Sequence, residues 1–153
     1  MPPSLVLQPA VLSFLQAARV GRLATVDAAG LPAVIPICYQ VEGSRLFTPI
    51  DAKPKRADWR RLRRVRNLRA NPQVAVVVDR WDEDWTRLAW VHLRGRAALE
   101  EAGPVHTQGI ALLRAKYAQY RDMPLETLPL IVIEIAAARH WGDLSVAPPT
   151  HLA

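Results

Sequence analysis

The hydrophobic positions of this chain change period several times, and the changes mark out its elements. In "LQPAVLSFLQAARVG" Val11, Leu12, Leu15 and Ala18 recur at helical spacing, with Pro9 near the start and Gly21 beyond the end, which predicts a short helix. The period then shortens. "RLATVDAAGLPAVIPICYQVEGSRLFTPID" holds β-rich runs at about 22–27, 33–41 and 45–50, punctuated by "AAG" and "EGS", and reads as a meander. Pro36 cannot donate to a ladder, so the middle run belongs at a sheet edge or bulge. Trp59, Leu62, Val65 and Leu68 recur every third residue with arginines between them, predicting one amphipathic helix over 58–70, capped by Asp58 and stopped by "NP" at 71–72.

The second half continues in the same way. "QVAVVVDRW" is apolar on both faces and reads as a central strand, closed by an acidic "DED" turn at 82–84. In "RLAWVHLRGRAALE" Leu88, Trp90 and His92 alternate with Ala89, Val91 and Leu93 along one long strand in which Gly95 allows a bend. "GPVHTQGIALLRAKYAQYRD" opens with Pro104 and carries Ile110, Leu113 and Tyr117 on one side, predicting a second surface helix, and "LPLIVIEIAAARHW" is a last strand. About six strands with hairpin-like connections and two to three short helices describe a mainly β (α+β) fold, an antiparallel barrel or sheet with helices packed on it. At 153 residues, one domain over 1–145 is expected, with 146–153 a tail that has little to order it.

Charge sharpens this picture at one place. Between residues 51 and 74 nine Lys and Arg face two Asp, a net +7 in a chain whose total is +6, so the rest is nearly neutral and a surface basic all over is excluded. No apolar run approaches the roughly 18 residues needed to cross a bilayer, and a soluble cytoplasmic protein is the expectation. The single Cys38 supports no disulfide framework and reads as a core thiol. The four histidines are scattered, with no i, i+4 pair and no cysteine cluster, so no metal site is expected. Nucleophile-elbow, dinucleotide and phosphate-loop motifs do not occur, which leaves a bound cofactor to supply any reactive atoms.

The basic stretch has two halves. Over 58–70 the arginines flank an apolar seam, as on a solvated helix face whose stems cover core. "DAKPKR" cannot be helical across Pro54, and in an extended chain Lys53 and Lys55 project to one side, where with the Thr48 hydroxyl and loop amides they can grip a phosphate. Nucleic-acid binding would call for stacking aromatics within the run, and only Trp59, on the apolar seam, is present.

"GRLATVDAAGLPAVIPICYQVEG", "LFTPIDAKPKR" and "NLRANPQVAVVVD" resemble the opening strands, phosphate-gripping loop and helix-to-strand passage of the pyridoxamine 5'-phosphate oxidase-like split β-barrel superfamily, over about residues 10–142. "DAKPKR", "RWDEDWTRLAWVHLRGRA" and "LRAKYAQY" are similar to its branch of coenzyme F-420 (deazaflavin) dependent oxidoreductases. The resemblance implies a six-stranded antiparallel split barrel and a homodimer with cofactor sites at the interface. It implies that Thr48, Lys53, Lys55 and Arg56 meet the cofactor phosphate, and that the strand around Pro36 and Ile37 lies along the ring. Trp85 and Trp141 are the candidates for covering that ring, whereas Trp81 and Trp90 read as core aromatics. Hydride transfer from reduced deazaflavin to a small-molecule acceptor is the expected activity; the accompanying proton has Tyr39, Tyr117 and Lys55 as candidate donors and solvent as an equal alternative, with no catalytic residue assigned. FMN is the alternative cofactor, and a non-catalytic flavin or deazaflavin carrier the alternative class. No membrane or nucleic-acid partner is expected.

Overall fold

Antiparallel pairing dominates the computed structural model, which describes residues 5–50 and 58–146. Helix α1 (Pro9–Ala17) leads into strands β1 (Gly21–Val26), β2 (Pro32–Ile37), β3 (Gln40–Glu42) and β4 (Arg45–Pro49). Helix α2 (Arg63–Ala70), strands β5 (Gln73–Arg80) and β6 (Ala89–Glu100), helix α3 (Pro104–Lys116) and strand β7 (Leu130–Gly142) follow. The strands form one seven-stranded antiparallel sheet in the order β2-β1-β5-β6-β7-β4-β3, curled into the half-barrel of a split-barrel fold.

The seventh strand arises where a single run over 33–41 is expected. The run breaks at Cys38 and Tyr39 because Tyr39 turns wholly into the core, its hydroxyl donating to the Leu15 carbonyl at 2.6 Å and its N–H donating to the Tyr117 oxygen at 3.1 Å. The two halves then serve opposite edges of the sheet. Ile37 and Gln40 are three peptide steps apart, at most about 11 Å, so the sheet must curl until its edges nearly meet. The barrel is thus closed by a covalent hinge, with no ladder between β2 and β3.

The core follows from strand alternation. Leu23, Val76, Val78, Val91, Leu93, Ile131 and Ile133 face inward and pack with Val11, Phe14 and Leu15 of α1 and Val65 and Leu68 of α2. A second cluster lies on the other side of the sheet, where α3 sets Ile110 and Leu113 against Phe47, Leu130 and Val132. The run "LPLIVI" is therefore buried on both faces within this chain, with α3 covering the second face.

Several sequence expectations hold at the residue level. Pro36 lies on edge strand β2, and Gly95 sits at a bulge where Arg94 pairs with Ala137 but Gly95 with Ile135, leaving Ala136 as the extra residue. A Cβ at Gly95 would run into the Glu134 carbonyl. Asp58 caps its segment by accepting from the Arg60 N–H at 3.1 Å, although the expected helix divides there into a 3-10 turn and α2. The second surface helix ends at Lys116 because Tyr117 turns extended to bury its ring. Trp81 and Trp90 are not core residues: they are 65% and 37% exposed, Trp90 because it alternates with inward-facing Ala89 and Val91, and Trp81 because it lies past the end of β5. Cys38 is half-buried in the hinge. No helix among the described residues is long and apolar enough to cross a membrane.

Candidate functional site

The outward face of the sheet is assembled by register. Pro36, Arg22, Val77, His92 and Arg139 are successive Cα partners across β2, β1, β5, β6 and β7, so five strands place these side chains in one row. The neighbouring row is Asp79, Trp90 and Trp141. A cleft of about 730 Å³ opens between the rows, walled by Val77 and Trp90 and edged by Arg22, His92, Arg94 and Arg139. Asp79 is its sole carboxylate and is paired with Arg22 at 2.6 Å, which leaves Arg94 and Arg139 as surplus positive charge. The volume suits an organic cofactor's ring system, and the guanidiniums suit its acceptor atoms.

The edge of β2 adds backbone groups. Pro36 has no N–H, so its pair with Arg22 is of the non-hydrogen-bonded kind, and alternation then turns the carbonyls of Pro32, Val34 and Pro36 away from β1. Only Val34 has an N–H pointing the same way, because residues 32 and 36 are both proline. The edge is acceptor-rich and resists pairing with another strand.

The expected site residues fall in several places. Pro36 is exposed on this edge, whereas Ile37 points into the core at 8% exposure. Thr48 is buried on β4, where its hydroxyl donates to the Cys38 carbonyl at 2.7 Å and so ties the hinge to the sheet. Lys53, Lys55 and Arg56 lie outside the described residues. Trp85 sits in the turn between β5 and β6 and is 70% exposed, and Trp141 is 53% exposed at the end of β7. Pro36 and Trp141 share the outer face but are four strand spacings apart, on the order of 19 Å, so one chain does not bring them together.

The candidate proton donors change more. Burial raises the hydroxyl pKa of both Tyr39 and Tyr117, and each hydroxyl is committed: Tyr39 donates to Leu15, and Tyr117 lies within 2.8 Å of the Arg19 carbonyl. Neither reaches the outer face. The acidic turn is structural as expected, with Asp84 accepting from the Thr86 hydroxyl and N–H, bonds that hold its carboxyl below the ordinary range. Arg22, His92, Arg94 and Arg139 are the residues that sequence reasoning missed, and the signal lay in strand register.

The sequence profile of the pyridoxamine 5'-phosphate oxidase family matches residues 7–142, and the chain belongs to that family. Over 68 residues it is 37% identical to a 5a,11a-dehydrotetracycline/5a,11a-dehydrooxytetracycline reductase of Streptomyces rimosus, a match covering 44% of this chain and 45% of that protein, so the chain spans less than half of the curated relative. In fold it is similar to a putative pyridoxamine 5'-phosphate oxidase of Listeria innocua, with TM-score 0.62, 22% identity and coverage of 87% of this chain and 96% of the other. It is also similar to the heme storage protein HutZ of Vibrio cholerae, with TM-score 0.67, 20% identity and coverage of 90% and 95%.

Proposed function

We propose that this protein is an oxidoreductase that uses coenzyme F-420, with FMN as the alternative cofactor, to reduce a small organic acceptor. The observation that carries the reading is the outer-face cleft of about 730 Å³, apolar in its walls and arginine-edged, on a chain of the pyridoxamine 5'-phosphate oxidase family. The reductase relative supports reduction of a small molecule as the reaction class. Bound in this cleft, the cofactor would supply hydride.

The chain's own residues bind, orient and exclude water. Arg94 and Arg139 would hold acceptor atoms of the ring, and Val77 and Trp90 would cover its apolar surface. Lys53, Lys55 and Arg56 are our assignment for the phosphate, with Thr48 bracing the strand that leads into that loop. His92, half-buried beside Arg139, is the described side chain best placed to hold a proton at the cleft.

A homodimer completes the site in this reading. Val34, Trp90 and Trp141 leave exposed apolar surface on the outer face, and a two-fold partner would bury it while bringing its own Trp141 to the cleft. Titration with F-420, FMN and heme, followed by fluorescence and absorbance, tests the cofactor assignment. Binding of deazaflavin is expected; tight FMN binding without it reverses the choice, and a heme complex with neither overturns the reading. A cofactor complex that turns over no member of an acceptor panel would make the protein a carrier.

A further inference from the structure

We propose that a second cleft, at the rim where α1, the end of β5 and residues 143–146 converge, binds a small planar aromatic anion. Its volume is about 910 Å³, within the range of small-molecule sites. Three large apolar side chains otherwise left in water line it: Trp81, 65% exposed, Val20, 43%, and Val146, 44%. Phe14, Ala17 and Ala18 form the rest of the apolar wall.

The charge of the lining selects the ligand. Arg19, Arg22, Arg80 and Arg87 face Asp79 and Asp143, a surplus of two positive charges. Arg22 is neutralised by Asp79 at 2.6 Å, and Arg80 is pinned by the carbonyls of Arg87 and Ser145, both at 2.8 Å, and of Asp143. The two remaining guanidiniums keep unspent donors. Arg19 gives one N–H to the Lys116 carbonyl, and Arg87 is paired with Asp82, outside the lining, through Nε at 3.4 Å, which leaves its terminal nitrogens to meet a ligand. A carboxylate, sulfonate or acidic phenol meeting Arg19 and Arg87, on an aromatic body resting against Trp81, satisfies both features.

This cleft lies away from the end of β4 that leads into residues 51–57. Pro49 at that end pairs with Leu130 at the start of β7, whereas the cleft lies past the far ends of β5 and β7. The length of β5 alone separates the two ends by roughly 20 Å. Arg22 and Asp79 line both clefts, so a ligand here would abut the one on the outer face. Use of this cleft by the acceptor of the proposed reduction would rest on the oxidoreductase reading; its binding of the anion does not.

The test uses the full-length protein without cofactor, titrated with 1-anilinonaphthalene-8-sulfonate and with uncharged N-phenyl-1-naphthylamine. The indole N–H signals of the five tryptophans are followed by NMR, with Trp81 assigned through Trp81→Phe. The sulfonate is expected to move the Trp81 signal and to bind about tenfold more tightly than the neutral dye, the effect of one charge-assisted hydrogen bond. Arg87→Gln and Val20→Glu, both at exposed positions, should each weaken the sulfonate about tenfold and change the neutral dye by no more than about twofold. Movement of the Trp90 and Trp141 signals without Trp81, or equal binding of both dyes with Val20→Glu indifferent, overturns the proposal. Either result leaves the oxidoreductase reading untouched, because that reading stands or falls on the cofactor titration.

Discussion

Gly109→Ala probes how closely α3 lies on the sheet. In an exposed helix the change would stabilise by about 0.8–1 kcal/mol, since Ala is the better helix former. Gly109 is buried, and a Cβ there would sit 2.5 Å from Leu130 Cδ1 and 2.6 Å from Phe47 Cδ1. Neither neighbour can retreat, because Leu130 is 1% and Phe47 0% exposed in the same packed cluster. Overpacking costs about 1–3 kcal/mol, and two contacts this short against buried side chains belong to the upper part of that range, about 2–3 kcal/mol, which exceeds the propensity gain and leaves a net destabilisation of about 1–2 kcal/mol. For a chain of this length that corresponds to a fall in Tm of roughly 2–8 °C. Thermal and urea melts at one fixed protein concentration measure it, with Ala111→Gly on the exposed side of α3 as a control losing only helix propensity. A Gly109→Ala protein as stable as wild type, or more so, would show that the helix can lift off the sheet and would refute the argument.

Three other outcomes are expected. Lys53→Ala or Lys55→Ala should weaken cofactor binding by about 1.5–3 kcal/mol and leave melting unchanged, whereas Arg63→Ala on α2 should do much less; equal losses in a binding titration would mean a diffuse field in place of a cradle. Burial, with help from Arg19, lowers the Lys116 pKa to about 8, so between pH 8 and 10 the unfolded state binds a proton that the folded state does not, and stability should rise with pH. Discounted for its partial exposure, the rise is about 1–2 kcal/mol; it should vanish in Lys116→Met when urea melts are compared across that window, and above pH 10 the buried Tyr39 hydroxyl reverses the trend. Light scattering should give twice 17.1 kDa, and a stable monomer with full cofactor affinity would remove the shared-site proposal.

Much of the fold is legible in the sequence because its signals are local. The alternation through "AWVHL", the glycine at 95, the proline at 36 and the cap at Asp58 each act within a few residues, and each appears where expected. The misreadings concern what alternation cannot carry. It shows that Trp90 and Val91 face opposite ways but not which side is wet, and it shows that "LPLIVI" is buried twice without naming α3 as the cover. The break at Tyr39 is a tertiary effect, fixed by the Leu15 carbonyl 24 residues away. The candidate site was least legible, since Arg22, His92 and Arg139 come from three strands and meet only through register.

The extra residue opposite Gly95 has a consequence for how β7 can vary. Below the bulge Ile131, Ile133 and Ile135 point inward, and above it Ala137, Arg139 and Trp141 point outward, although all six are odd-numbered. Ala136 acts as a frame change, so one strand carries two messages in opposite phase, one for the hydrophobic interior and one for the ligand-facing side. Deleting Ala136 itself would straighten the strand and leave both faces as they stand, since Ile135 stays opposite Gly95 and Ala137 opposite Arg94, whereas a residue lost beyond a retained bulge would bring His140 to the outward place of Arg139 and turn Trp141 inward. The bulge can therefore absorb a change of length without altering either face, and length differences among related chains should concentrate there more than in the paired stretches on either side, where each one exchanges the two faces.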